Sequence, residues 1–176
     1  MTKRFDRVVD GRKRKRIHFA SAMTMLGYTD GASHADGASY LELVEFLMKN
    51  GSDVDTDLPE LWRRIVFSIC VGNADDHLRN HGFLLEETGW KLSPAYDINP
   101  DPYGTGLSLN ISEDDNSLDL ELAKNVAEFF RVDRECSETI IAEVVDSVRN
   151  WKDVASSFGI GNSEQEQMKP SFQACV

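Results

Sequence analysis

Most apolar residues of this chain recur at helical spacing, and the polar residues between them carry recognisable start and stop signals. Leu61, Trp62, Ile65, Val66, Ile69 and Cys70 form one apolar stripe, the pattern of a helix with a single buried face. Asp57-Leu58-Pro59-Glu60 is read as its start, with Pro59 in the first turn, and Gly72 comes just after its end. Ser39-Tyr40-Leu41-Glu42 is a capping box that opens a helix carrying Leu41, Val44, Leu47 and Met48 and stopping at Asn50-Gly51. His18 to Leu26 reads as a short apolar helix stopped by Gly27. Leu118, Leu122, Val126, Phe129 and Phe130 mark another helix. A longer one is expected over 134–157, through Ile140, Ile141, Val144, Val145, Val148, Trp151 and Val154.

Strand signals are fewer. Residues 3–9 read as an opening strand ending at Asp10-Gly11. Phe83-Leu84-Leu85 and Trp90-Lys91-Leu92 flank Glu86-Glu87-Thr88-Gly89 as a β-hairpin, Gly89 supplying a positive φ. Thr29 to Gly37 and Pro100 to Ser117 lack a period and are read as loops. Residues 163–176 are polar and read as a short terminal helix or a frayed tail. The expected fold is mainly α with a small β-hairpin, in a single domain over 1–176, a length sufficient for one sizeable core.

Charge and cysteine usage narrow the function classes. With 19 basic and 30 acidic residues the formal net charge is −11, which argues against nucleic-acid binding as the main task. Arg12-Lys13-Arg14-Lys15-Arg16 is the exception: either a solvated loop, or a docking patch for an acidic partner, or for DNA through a partner. Cys70, Cys136 and Cys175 are an odd, scattered set without a Cys-x-x-Cys pair. Neither a structural disulfide nor a zinc knuckle is expected, and a reducing cytoplasm fits. The charged N-terminus gives no signal-peptide pattern, and no apolar run approaches a membrane span, so no membrane partner is expected.

Candidate chemistry concentrates in Gly72-Asn73-Ala74-Asp75-Asp76-His77-Leu78-Arg79-Asn80 and, beyond the hairpin, in Ser93-Pro94-Ala95-Tyr96-Asp97-Ile98. Phosphoryl transfer needs a carboxylate to receive or orient an attacking hydroxyl, and an amide and a second carboxylate to hold magnesium. Protein kinases place the first two as Asp-x-x-x-x-Asn on one loop and supply the third from a later strand end. Asp75, Asn80 and Asp97 keep that order, and the hairpin returns the chain to the same end. His77 and His81, four apart, leave a second reading open: a transition-metal site with Asp75 or Asp76, as in a metal-dependent hydrolase.

Residues 73–83 and 90–97 together resemble the HipA family of bacterial serine/threonine kinases, known as the toxin components of toxin–antitoxin pairs. Arg4-Phe5-Asp6-Arg7 is similar to the family's hinge strand, and His18 to Met23 and Ala38-Ser39-Tyr40 resemble the helices next in that family's chain. The resemblance implies the C-terminal lobe of a protein-kinase-like fold. It implies Asp75 as catalytic base, Asn80 and Asp97 as Mg2+ ligands, and Phe5 and Tyr96 beside the nucleotide of ATP. It makes His77 the structural histidine of the loop, leaves His81 less constrained, and sets Arg79 near the transferred phosphate or paired with an acid such as Asp76. The implied partners are a protein substrate, an antitoxin and an N-terminal kinase lobe. That lobe carries the phosphate-gripping loop and a nucleotide-binding Lys, and neither is found before Lys3, itself at a position where the family tends to be acidic. The alternative is a catalytically incompetent module that binds a partner or antitoxin.

Overall fold

A computed structural model describes residues 4–11 and 13–175, so the position of Lys3 lies outside the described residues. The core is built on α3, Val54–Val71. Leu61, Trp62, Ile65, Val66, Ile69 and Cys70 are all fully buried, as their spacing predicts. The helix begins a turn earlier than the Asp57 start, because Asp53 and its neighbours already adopt the entry turn and Pro59 is accommodated inside. The Asp57 carboxylate accepts from the Leu92 backbone N–H at 2.8 Å, so the start of the central helix holds the end of the hairpin.

Helix α2, Tyr40–Asn50, opens on the expected box: the Glu42 N–H donates to Ser39 Oγ, and the Ser39 N–H donates to Glu42 Oε2. Its buried face is Tyr40, Leu43, Val44, Phe46 and Leu47, while Met48 turns to solvent. Strands β4, Gly82–Leu85, and β5, Trp90–Leu92, form the predicted hairpin in the register Phe83↔Leu92. Gly89 has φ +154°, and a Cβ there would lie 2.5 Å from the Asn50 carbonyl oxygen, so the turn packs directly on the end of α2.

The segment read as a helix over 18–26 divides in two. Phe19–Ser21 is strand β3, antiparallel to β4, and only Ala22–Leu26 is helical (α1), capped by Ser21 and ended by Gly27 in the left-handed region. The opening strand also gains a partner. β1, Arg7–Asp10, pairs antiparallel with β2, Lys13–Arg16, as a separate two-stranded ribbon, so most of the cationic run is a strand rather than a loop.

In the C-terminal half, α4 (Leu120–Asn125) leads into a 3-10 turn over Ala127–Phe130 that leaves Phe129 exposed. Trp62 Nε1 donates to the Ala123 carbonyl at 2.9 Å and anchors α4 on the core. The long helix read over 134–157 breaks at Asn150 into α5 (Arg134–Arg149) and α6 (Trp151–Ser157), with Val154 exposed. The last segment is not a frayed tail. α7 (Asn162–Met168) and a 3-10 turn over Lys169–Phe172 fold back on the core, where Phe172 stacks on Trp151 at 4.2 Å between centroids. A Cys70–Cys175 disulfide closes this return, contrary to the expectation from the scattered cysteines, and leaves Cys136 free and exposed. Sequence distance hid the pair: 105 residues separate two cysteines that the fold places side by side. Among the described residues no helix is long and apolar enough to cross a membrane.

Candidate functional site

The loop after α3 takes its shape from Gly72, which ends the helix at φ +61°. Left-handed backbone suits a residue without Cβ, and here a Cβ would also lie 2.8 Å from the Ser171 carbonyl oxygen. The chain then passes through tight turns, with the His77 N–H donating to the Asp75 carbonyl and the Asn80 N–H to the His77 carbonyl. Asn80 Nδ2 donates to the Asp75 carbonyl at 2.9 Å, closing the loop on itself. That bond uses the amide nitrogen of a buried side chain and leaves Oδ1 as a hard oxygen donor.

Beneath the loop lies a buried polar cluster centred on Asp76. Tyr40 donates its hydroxyl hydrogen to Asp76 Oδ2, the Ser68 hydroxyl donates to the same oxygen at 3.3 Å, and Asn73 Nδ2 donates to Ser68 Oγ at 3.3 Å. His81 Nε2 stands 2.9 Å from Asp76 Oδ1, a close charge contact short of hydrogen-bond alignment, and its Nδ1 is buried without a protein partner. Burial alone would push the Asp76 carboxyl up. The His81 charge and the hydrogen bonds from Tyr40 and Ser68 outweigh it and hold the carboxyl below its ordinary range. Burial, with the Asp76 charge beside it, drives the Tyr40 hydroxyl well above its usual value.

The two histidines therefore exchange the roles the sequence suggests. His81 is the buried structural histidine. His77 is part-exposed, with Nε2 3.8 Å from Asp75 Oδ1 and 3.1 Å from Arg79 Nη2. Arg79 pairs with Asp30 rather than Asp76. Among the described residues no three of His, Cys, Asp and Glu gather as a metal-holding group, so the hydrolase reading gains no support.

Asp75 points outward, its side chain 77% exposed, into a cavity of about 230 Å³ walled by Asp30, His77, Arg79 and Ser108 among others. The segment after β5 is laced to the loop at three points. Tyr96 donates its hydroxyl to the Arg79 carbonyl at 2.6 Å, Asn99 N–H to Asn73 Oδ1 at 3.4 Å, and Asp101 N–H to the Gly72 carbonyl at 3.0 Å. Burial pushes the Tyr96 hydroxyl up to about 12, so it stays a donor. Asp97 sits between these ties in the left-handed region at φ 57°, exposed, with Oδ1 accepting from Asn99 Nδ2 at 3.0 Å. A non-glycine residue held in this region is the kind of local strain that gathers at functional sites.

Phe5, Phe19 and Tyr96 form an aromatic group, with Phe5 5.7 Å from Phe19 and 5.8 Å from Tyr96. They wall a second, open cleft of about 810 Å³ together with Arg4, Arg7 and Arg79. Arg79 borders both cavities. The structure thus brings Phe5 and Tyr96 together, ties Asn80 to Asp75, and fastens the Asp97 segment to the same loop. No direct contact joins Asp97 to Asp75 or Asn80. The sequence reading missed the buried pairing of Asp76 with Tyr40. A buried-carboxylate role for Asp76 has a sequence signal only in its place between two polar loop residues and an apolar helix.

Comparison with known proteins identifies the family and the fold. A family model described as the HipA-like C-terminal domain matches residues 1–152. A putative kinase of Haemophilus influenzae is 32% identical over 75 residues, covering 42% of this chain and 22% of that protein. Putative kinase Y4mE of Sinorhizobium fredii is 31% identical over 85 residues, covering 47% of this chain and 20% of that protein. The matched region spans about a fifth of the length of these curated relatives. HipA of Shewanella oneidensis, solved in complex with HipB and operator DNA, superposes with a TM-score of 0.76 at 17% identity, over 98% of this chain and 47% of that one. The chain belongs to the HipA-like C-terminal domain family.

Proposed function

We propose that this chain is the C-terminal catalytic half of a HipA-like serine/threonine protein kinase that moves a phosphoryl group from Mg-ATP to a protein hydroxyl. The position of Arg79 carries the reading. It lies between Asp75 and Asn80 in the loop and forms a wall common to the aromatic cleft and the Asp75 cavity. A donor phosphate held in the cleft and an acceptor hydroxyl held in the cavity would meet at this guanidinium, which suits charge developing during transfer.

Asp75, exposed and fixed by the backbone bond from Asn80, would receive or orient the hydroxyl proton. The Asn80 Oδ1 and the Asp97 carboxylate are hard oxygen donors of the type magnesium takes beside phosphates. Magnesium would neutralise phosphate charge there. Phe5 and Tyr96 would face the adenine. The cleft is open on one side, so nucleotide enclosure calls for an N-terminal lobe, in the same polypeptide or as a separate chain. An antitoxin is the expected regulatory partner, by analogy with the HipA–HipB complex.

The test is radiolabelled phosphate transfer to protein, with the chain alone and with a purified HipA-type N-terminal lobe added. Transfer only in the mixture, lost with Asp75→Ala, supports the proposal. Robust transfer by the chain alone removes the need for a second half. No transfer in the mixture, together with partner binding that survives Asp75→Ala and Asp97→Ala combined, favours the non-catalytic binding module.

A further inference from the structure

The β1–β2 ribbon places a line of arginines on one face. Residues directly opposite in an antiparallel pair share a face, and so do residues two apart on one strand. Arg7 opposes Arg16, and Arg14 lies two before Arg16, so all three share one side of the ribbon. Arg7 approaches Asp6 at 3.5 Å. Arg14 and Arg16 are exposed and form no ion pair among the described residues. Like charges directly across a ladder destabilise it, and a lone two-stranded ribbon is marginal in water. The arrangement makes physical sense when an anion covers that face.

We propose that this face of the ribbon binds the phosphate backbone of duplex DNA. An antiparallel ribbon fits the major groove, which is about 12 Å wide. Arginines two apart along a strand are spaced about 6.8 Å, a regular row suited to a regular polyanion. Guanidinium groups engage phosphate oxygens bidentately. The net charge of −11 does not oppose this locally. The ribbon is a sheet of its own, and at physiological salt exposed charges more than about 8 Å away are largely screened. Arg7 also walls the aromatic cleft, whereas Arg14 and Arg16 do not, so the inference rests on those two and needs no nucleotide.

The test is fluorescence anisotropy of a labelled random-sequence duplex with the whole chain, titrated at several salt concentrations. Binding should be saturable at low salt. Arg14→Ala with Arg16→Ala should flatten the log–log salt slope by about 1.8, equivalent to about 12-fold less affinity change between about 50 and 200 mM salt. Arg134→Ala with Lys169→Ala, which removes the same charge from other faces, should leave the slope unchanged. Circular dichroism of each variant reports folding. Absence of saturable binding, or equal flattening by the control pair, overturns the proposal. Poly-glutamate binding as tight as the duplex would assign the ribbon to an acidic protein instead.

Discussion

Tyr40, at the first turn of α2, donates its hydroxyl hydrogen to Asp76, 36 residues later, under the loop that carries Asp75. The bond fastens the second helix to the candidate active site from below. Tyr40→Phe keeps the ring and removes one donor to a buried carboxylate. It should cost about 1–3 kcal/mol in urea unfolding, the range for hydrogen bonds to charged groups. Asp76→Asn strips the charge facing His81 and should cost about 3 kcal/mol. Because the two residues share one network, the double variant should lose less than the sum of the singles.

The same carboxylate gives a pH signature. Its folded pKa lies below the ordinary value of 3.8, so the unfolded chain takes up its proton first. The stabilisation is complete above that value and disappears as pH falls through the lower folded pKa. Thermal melts should therefore separate wild type from Asp76→Asn clearly at pH 7, and the gap should narrow as pH falls below 3.8 and through the lower folded pKa. A gap that widens in acid would contradict the burial-and-pairing account.

The contrast between these contacts and the helices explains what the chain reveals when read linearly. The Ser39–Glu42 box, the α3 stripe and the Phe83–Leu92 hairpin involve neighbours at fixed short offsets, so the pattern exposes them. Strand β3 is three residues long, too short to show alternation, and its partner β4 lies some sixty positions on. The cationic run reads as solvated because charge pattern carries no information about a cross-strand partner. The α5–α6 break escapes notice because Trp151 and Val154 continue the apolar period across Asn150. At the site, Asp75, Asn80 and Asp97 are legible as a spacing, while His81 and Asp76 depend on burial, which no spacing states.

The disulfide makes its own prediction. A crosslink closing a loop of about 105 residues constrains the unfolded chain by about 4–5 kcal/mol on the chain-entropy model. Thiol titration in denaturant should find one free thiol before reduction, from Cys136, and three after. A dithiol reductant, or Cys175→Ser, should lower the melting temperature and free the 169–175 segment to proteolysis. Three thiols in the unreduced protein would show that the pair is not joined.

Gly72 links the central helix to the C-terminal return, since it ends α3 and lies against Ser171. Gly72→Ala requires a Cβ at a positive φ and within 2.8 Å of a backbone oxygen that cannot swing away. Denaturant midpoints should fall by the equivalent of about 2 kcal/mol or more. Near-neutral behaviour would mean the C-terminal turn does not press on the loop.

Asp97 separates stability from chemistry most directly. Its left-handed backbone costs about 1 kcal/mol for a residue with a Cβ, and aspartate tolerates it only somewhat better than alanine. Asp97→Ala, which keeps a Cβ, should therefore destabilise the fold by well under about 1 kcal/mol, whereas Asp97→Gly relieves the conformation and should leave unfolding at least as favourable as in wild type. Both remove the carboxylate, so both should abolish phosphate transfer in the protein complemented with an N-terminal lobe. Transfer retained by the stable Asp97→Gly variant would leave the strained residue without a role in the reaction.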